Sequence, residues 1–137
     1  MLRRVVVTGL GAVSPKRDRA KRILGKYLKG ISGIDRITSF DPVNLACQIA
    51  GEVTNFDPSL YYSSADLKKL PRTGPLAVAA TQEALASAGI DLGSFSEEDF
   101  ESLGVLVGTG GSGFDFSEKQ FEIYFSQHKN KISPYAI

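Results

Sequence analysis

One cysteine and one histidine, Cys47 and His128, are the side chains of this 137-residue chain with the reactivity for thiol–imidazole catalysis. Such chemistry needs a thiolate beside a base or at a helix N-terminus. Cys47 stands in Leu45-Ala46-Cys47-Gln48-Ile49-Ala50, a strand-like stretch with no helix start and no neighbouring base. That context predicts a buried structural thiol. His128 sits beside Lys129 at the end of an expected helix. Helix-end charge stabilisation or plain solvation suits it better than catalysis.

Two glycine-rich turns are the other features with chemical potential. Gly9-Leu10-Gly11-Ala12-Val13-Ser14 is close to a dinucleotide-binding G-x-G-x-x-G, but serine holds the last position. That serine hinders close helix–strand packing. Pro15 and several charged residues also delay the following helix, and no strand leads into Asp35, which lies at the distance of a ribose-binding acid. A nucleotide-binding α/β protein stays open as an alternative. The competing reading is a tight turn whose backbone passes something closely. Gly108-Thr109-Gly110-Gly111-Ser112-Gly113 fits neither that spacing nor a P-loop, which ends in Gly-Lys-Ser/Thr. Its small side chains suit a strand end lining a cavity, or equally a surface loop.

Elements must position these turns. Residues 4–8 and 103–109 are short apolar runs ending in glycine and predict buried strands; a further strand is expected over 46–53. A helix is expected over 17–29, with Ala20, Ile23, Leu24, Tyr27 and Leu28 on one face and Gly30 as its stop. Its other face is basic: Arg17, Arg19, Lys21, Arg22, Lys26 and Lys29. Thr73-Gly74-Pro75 opens a second helix that runs to Ala88 and stops at Gly89; its alanines invite close neighbours and predict burial. A third helix is expected over 117–128, with a Ser117–Gln120 capping box and a stripe of Phe121, Tyr124 and Phe125. The alternation of strands and helices is α/β.

Hydrophobic residues make up 42% of the chain and charged residues 23%, which is globular. A net charge of +1 gives no electrostatic case for nucleic acid or a membrane surface. The apolar run after Met1-Leu2-Arg3-Arg4 is too short for a secretory signal, and no run approaches the roughly 18 residues of a membrane span. A cytoplasmic protein in a reducing compartment is expected. The apolar end, Ile132 to Ile137, reads as a cut through a fold.

Val5-Val6-Val7-Thr8-Gly9-Leu10-Gly11-Ala12-Val13-Ser14-Pro15 resembles the opening of β-ketoacyl-acyl-carrier-protein synthases of the elongating, KAS II type. Gly30-Ile31-Ser32-Gly33-Ile34, Phe40-Asp41, and Ile49-Ala50-Gly51-Glu52-Val53 with Phe56-Asp57-Pro58 resemble that family in order and spacing. So do Gly104-Val105-Leu106-Val107-Gly108-Thr109-Gly110 and Ile132-Ser133-Pro134-Tyr135. The resemblance covers essentially the whole chain.

It implies a thiolase-like layered α/β/α/β/α fold, of which residues 1–137 would supply most of the first half, ending before the catalytic cysteine and two histidines. It implies a decarboxylative Claisen condensation of acyl and malonyl thioesters on acyl carrier protein, in fatty-acid or polyketide synthesis. No cofactor and no metal are implied, and the intact protein is expected to be a homodimer. This chain alone would be inactive, and poorly stable or associating. Gly110, Gly111 and Tyr135 would line the acyl pocket. Because many relatives carry a bulky aliphatic residue where Gly111 stands, a pocket for longer or bulkier chains is expected. Lys68, Lys69 and Lys131 would form the docking face for the acidic carrier. The chain departs from the family at Leu24, where many relatives have tryptophan, at residues 15–19, and at residues 70–75. Those departures leave room for a non-catalytic chain-length factor or dimer partner.

Overall fold

The computed structural model describes residues 3–15, 20–111, 113–128 and 131–135. The chain divides into two compact units, residues 1–57 with 79–90, and residues 58–78 with 91–137. Its elements are α1 (Ala20–Leu28), β1 (Asp35–Arg36), β2 (Ile49–Ala50), α2 (Ser64–Leu67), α3 (Thr73–Ala88), α4 (Glu97–Glu101) and α5 (Phe114–Phe125).

Both expected glycine stops are present, in the same form. Gly30 ends α1 with φ 67°, and Gly89 ends α3 with φ 70°. In α1, the Gly30 N–H donates to the Tyr27 carbonyl (3.0 Å) and the Ile31 N–H to the Lys26 carbonyl (3.0 Å). In α3, Gly89 donates to Ala86 (3.2 Å) and Ile90 to Leu85 (3.0 Å). This paired pattern satisfies carbonyls that a helix end leaves without partners, and its left-handed residue costs glycine least. The expected start of α1 at residue 17 lies outside the described residues, as do the side chains of Ala20, Leu24 and the basic Arg17, Arg19, Lys21 and Arg22.

In the first unit the glycine turn and the alanine helix explain each other. A Cβ on Gly9 would lie 2.2 Å from the Ala84 carbonyl oxygen and 2.8 Å from the Ala88 Cβ. One on Gly11 would lie 1.9 Å from the Ala80 oxygen and 2.6 Å from the Ala84 nitrogen. Ala80, Ala84 and Ala88 follow at four-residue steps and so share a face of α3. Two glycines and three alanines let backbone lie on backbone. The Ala12 N–H also donates to Glu83 Oε2 (3.1 Å). Gly9 and Gly11 therefore serve close packing, the second of the two readings that the motif left open.

β1 and β2 pair antiparallel, Asp35 with Ala50 and Arg36 with Ile49, and the Ile37 N–H extends the pairing to the Gln48 carbonyl (2.9 Å). Beyond that pair, the Glu52 carboxylate accepts the backbone N–H groups and hydroxyls of Thr38 and Ser39.

Three strand expectations need correction. Residues 4–8 and 103–109 form no strand, and 46–53 contributes only Ile49–Ala50. Burial fails with the pairing: Val5 is 94% exposed, Val105 83% and Leu106 99%. A strand is defined by its partners, and among the described residues neither run has any. Helix burial is also partial. Pro75 and Ala79 of α3 are buried, whereas Ala77, Thr81, Gln82, Ala86 and Ser87 are exposed. In the second unit the buried residue of α5 is Phe116, while Phe121, Tyr124 and Phe125 stay exposed and pack ring on ring, Tyr124 edge-on to Phe125 at 5.0 Å.

Candidate functional site

All six residues expected to bind acyl chain or carrier lie in the second unit: Lys68, Lys69, Gly110, Gly111, Lys131 and Tyr135. Gly113, the last glycine of this stretch, leads directly into α5. Gly113 caps the helix in a left-handed conformation, φ 82°, with no side-chain cap. The helix therefore starts at Phe114, three residues before the expected Ser117, and the Ser117–Gln120 capping box does not form. Gln120 has another partner: its Oε1 accepts the Ser133 N–H at 2.8 Å. That bond ties the Ser133-Pro134-Tyr135 segment to α5, and the Tyr135 N–H donates to Ser133 Oγ (3.2 Å). Gly113 and Gln120 are seven positions apart, about 10 Å along the helix. One helix thus carries the glycine turn at its start and anchors the Tyr135 segment two turns on.

The lysines reach the same turn through Pro71. Ser63 caps α2: its Oγ accepts the Asp66 N–H at 3.2 Å. Lys68 follows the helix, and the Lys69 N–H donates to the Asp66 carbonyl at 2.9 Å. Both lysines are exposed, as is Lys131. Pro71 comes two residues after Lys69, and its Cβ lies 3.8 Å from where a Cβ on Gly113 would stand, an ordinary packing distance. The chain just after Lys68 and Lys69 thus stands beside Gly113, which follows Gly110 and Gly111 in sequence.

The space beside Gly111 is not open. A Cβ there would lie 3.1 Å from Cε2 of the Phe114 ring. Pro71 and Phe114 are residues that sequence reading passed over, and Gln120 was read only as part of a cap. The signal was available for Phe114: an aromatic directly after a run of glycines, where nothing else in the turn has bulk.

Cys47 and His128 differ from expectation in setting. Cys47 is exposed, not buried, and its S–H donates to the Ile49 carbonyl at 3.5 Å. Its stretch forms a loop entering the two-residue β2, which is too short to cover it. His128 lies three residues beyond the end of α5, with φ 50°, and is exposed. It is therefore past the helix-end carbonyls that the expected longer helix would have offered it.

Two carboxylates are held ionised. Glu52 is lowered to about 2, first by the Ser39 hydroxyl (2.5 Å), then by the Thr38 hydroxyl (2.7 Å) and N–H (2.8 Å). Asp99 is lowered by the Ser96 N–H and then the Ser96 hydroxyl, in the capping box that starts α4. Both groups brace local structure. A cavity of about 260 Å³ lies in the first unit, lined by Pro15, Ile23, Lys26, Tyr27, Ile31 and Ile34 among others, and none of the six site residues lines it. No helix among the described residues is long and apolar enough to cross a membrane.

Residues 2–137 match the family described as beta-ketoacyl synthase, N-terminal domain. The chain is 33% identical over 135 residues to 3-oxoacyl-[acyl-carrier-protein] synthase 2 of Coxiella burnetii (strain RSA 493 / Nine Mile phase I), covering 98% of this chain and 32% of that protein. It is 34% identical, with the same coverage, to the synthase of that name from Synechocystis sp. (strain ATCC 27184 / PCC 6803 / Kazusa). Among solved structures it is similar to the ishigamide ketosynthase/chain length factor, with a TM-score of 0.68 and 26% identity over 96% of this chain and 32% of that one. The chain thus spans about a third of the length of the curated relatives it matches.

Proposed function

The chain belongs to the β-ketoacyl synthase family, and on that premise we propose that it works as the N-terminal domain of a 3-oxoacyl-[acyl-carrier-protein] synthase. The reaction is a decarboxylative Claisen condensation. A cysteine thiolate, supplied by residues outside 1–137, attacks an acyl thioester and expels the carrier thiol. Loss of carbon dioxide from a malonyl thioester leaves an enolate. The enolate carbon attacks the acyl-enzyme carbonyl, and the cysteine leaves as a 3-oxoacyl thioester forms. Such a step needs hydrogen-bond donors at the enolate oxygen, the role of the family's two histidines.

One observation supports this reading best. Pro71, two residues after Lys69, stands beside Gly113 at the end of the glycine turn, so a carrier held at those lysines would sit close to residues 110–111. The exposed apolar runs at 4–8 and 103–109 fit the same reading. Both runs have strand composition but no partners among the described residues, and in a layered α/β/α/β/α body they would pair with further chain. The carrier is acidic, so Lys68, Lys69 and Lys131 act mainly on encounter. Replacing Lys68 and Lys69 together by glutamate should raise KM for acyl carrier protein and flatten the salt dependence of kcat/KM. An unchanged KM and salt slope would remove the docking assignment.

A second reading is a chain-length factor, a partner that shapes the pocket without a nucleophile. The similarity to the ishigamide ketosynthase/chain length factor favours it. A protein of this kind would pair with a catalytic ketosynthase and take no acyl group itself.

A further inference from the structure

We infer that the cavity beside α1 is a binding site for a short straight-chain carboxylate, an aliphatic tail with one anionic head. The inference goes beyond the proposed function and does not rest on it, since none of the residues assigned there lines this cavity. The cavity lies wholly within the first unit and measures about 260 Å³. Small-ligand pockets run from about 300 to 1,000 Å³, so it suits a ligand at the small end. At roughly 30 Å³ per group, the share of one water in the liquid, it holds about nine non-hydrogen atoms.

Backbone features build both walls. On one side, the Gly30 N–H donates to the Tyr27 carbonyl (3.0 Å) and the Ile31 N–H to the Lys26 carbonyl (3.0 Å), which fixes Lys26, Tyr27 and Ile31 in register. On the other, Pro15 is pinned between two glycines. A Cβ on Gly33 would lie 2.8 Å from the Pro15 carbonyl oxygen, and one on Gly51 would lie 2.7 Å from Pro15 Cγ. The Ile34 N–H is held by Ser32 Oγ at 3.0 Å.

The lining selects the ligand. Ile23, Ile31, Ile34 and the Pro15 ring are apolar, so a sugar or nucleotide would bury polar groups there without partners. Lys26 is the charged side chain among the described lining residues, and no carboxylate joins it. A lysine in such a wall lays its stem on the apolar surface and keeps its ammonium toward water. One ammonium above an apolar space matches one negative charge on a hydrocarbon tail, through a charge-assisted bond. Tyr27 is 80% exposed and Lys26 half-buried, so a ligand can reach the space from solvent.

The test titrates the intact protein carrying this domain with sodium octanoate and, separately, octanol, and reads hydrogen exchange over residues 23–34. Octanoate should slow exchange there. Lys26→Gln should weaken octanoate about tenfold, the low end for a bond to a charged group, and leave the octanol midpoint unchanged. Ile34→Phe adds volume to the lining and should remove the response to both probes; if that variant does not fold, Lys26→Gln decides the matter. Exchange over 23–34 that octanoate leaves unchanged would overturn the inference, as would a Lys26→Gln midpoint equal to the parent's. Slowing confined to residues 108–113 would also overturn it, by placing the acid at the glycine turn instead, and would leave the proposed function standing.

Discussion

Gly11→Ala is the substitution whose cost follows most directly from the geometry. The new Cβ would sit 1.9 Å from the Ala80 oxygen, 2.6 Å from the Ala84 nitrogen and 3.0 Å from the Ala80 carbonyl carbon. These are backbone atoms of α3 and cannot rotate away. To restore an ordinary contact the 9–12 segment must retreat by about 1.5 Å. That retreat breaks the 3.1 Å bond from Ala12 to Glu83, worth about 1 kcal/mol net. It also loosens the Gly9 contact with Ala84 and Ala88. Overpacking of this kind costs about 1–3 kcal/mol by itself. The sum is about 2–4 kcal/mol, a large share of the stability of an ordinary domain. Urea unfolding followed by circular dichroism on the intact protein measures it. Gly25→Ala is the control. Nothing lies within 4 Å of its added Cβ, and alanine in a helix gains about 0.5–1 kcal/mol over glycine. If the two variants unfold at the same urea concentration, the backbone-on-backbone account of the glycine motif is refuted.

Glu52 sets a pH dependence of known sign. Its folded value, about 2, lies below the ordinary 4.5, so the folded state favours the ionised form. Its stabilisation is complete above the ordinary value and fades as pH falls from about 4.5 toward 2. Glu52→Gln should lower stability at neutral pH and flatten acid unfolding across that window, checked by urea melts at a series of pH values; a parallel pH curve would contradict it. Gly89→Ala places a Cβ at φ 70° in the turn that ends α3 and should cost about 1 kcal/mol, read from the shift in the urea midpoint. Gln120→Ala removes the acceptor of the Ser133 N–H, so hydrogen exchange at Ser133 should quicken while the amides of α3 keep their protection.

Helices and their stops were legible because their signals are local. Gly30 and Gly89 end their helices through bonds reaching back only a few residues, and the alanines of α3 announced a close neighbour. Strands were not legible in the same way. Val5 to Val7 and Val105 to Val107 have β-strand composition, but pairing depends on distant chain, and none is present among the described residues. The start of α5 was missed because Gly113 caps through its backbone alone, while Ser117–Gln120 mimicked a capping box. The real box, Ser96 with Asp99, uses aspartate where glutamate or glutamine is usual, and went unread. Lys68, Lys69 and Gly111 were singled out by family resemblance. Pro71 beside Gly113 and Phe114 beside Gly111 were not, since those approaches arise from distances across the turn.

The central claim is that residues 1–137 form part of a condensing enzyme whose nucleophile lies elsewhere in the protein. The most direct measurement is peptide mass mapping of the intact protein after exposure to an acyl-carrier thioester. The account predicts a single acyl thioester on a cysteine outside residues 1–137, unaffected by Cys47→Ala. An acyl group on Cys47, lost in that variant, would contradict it.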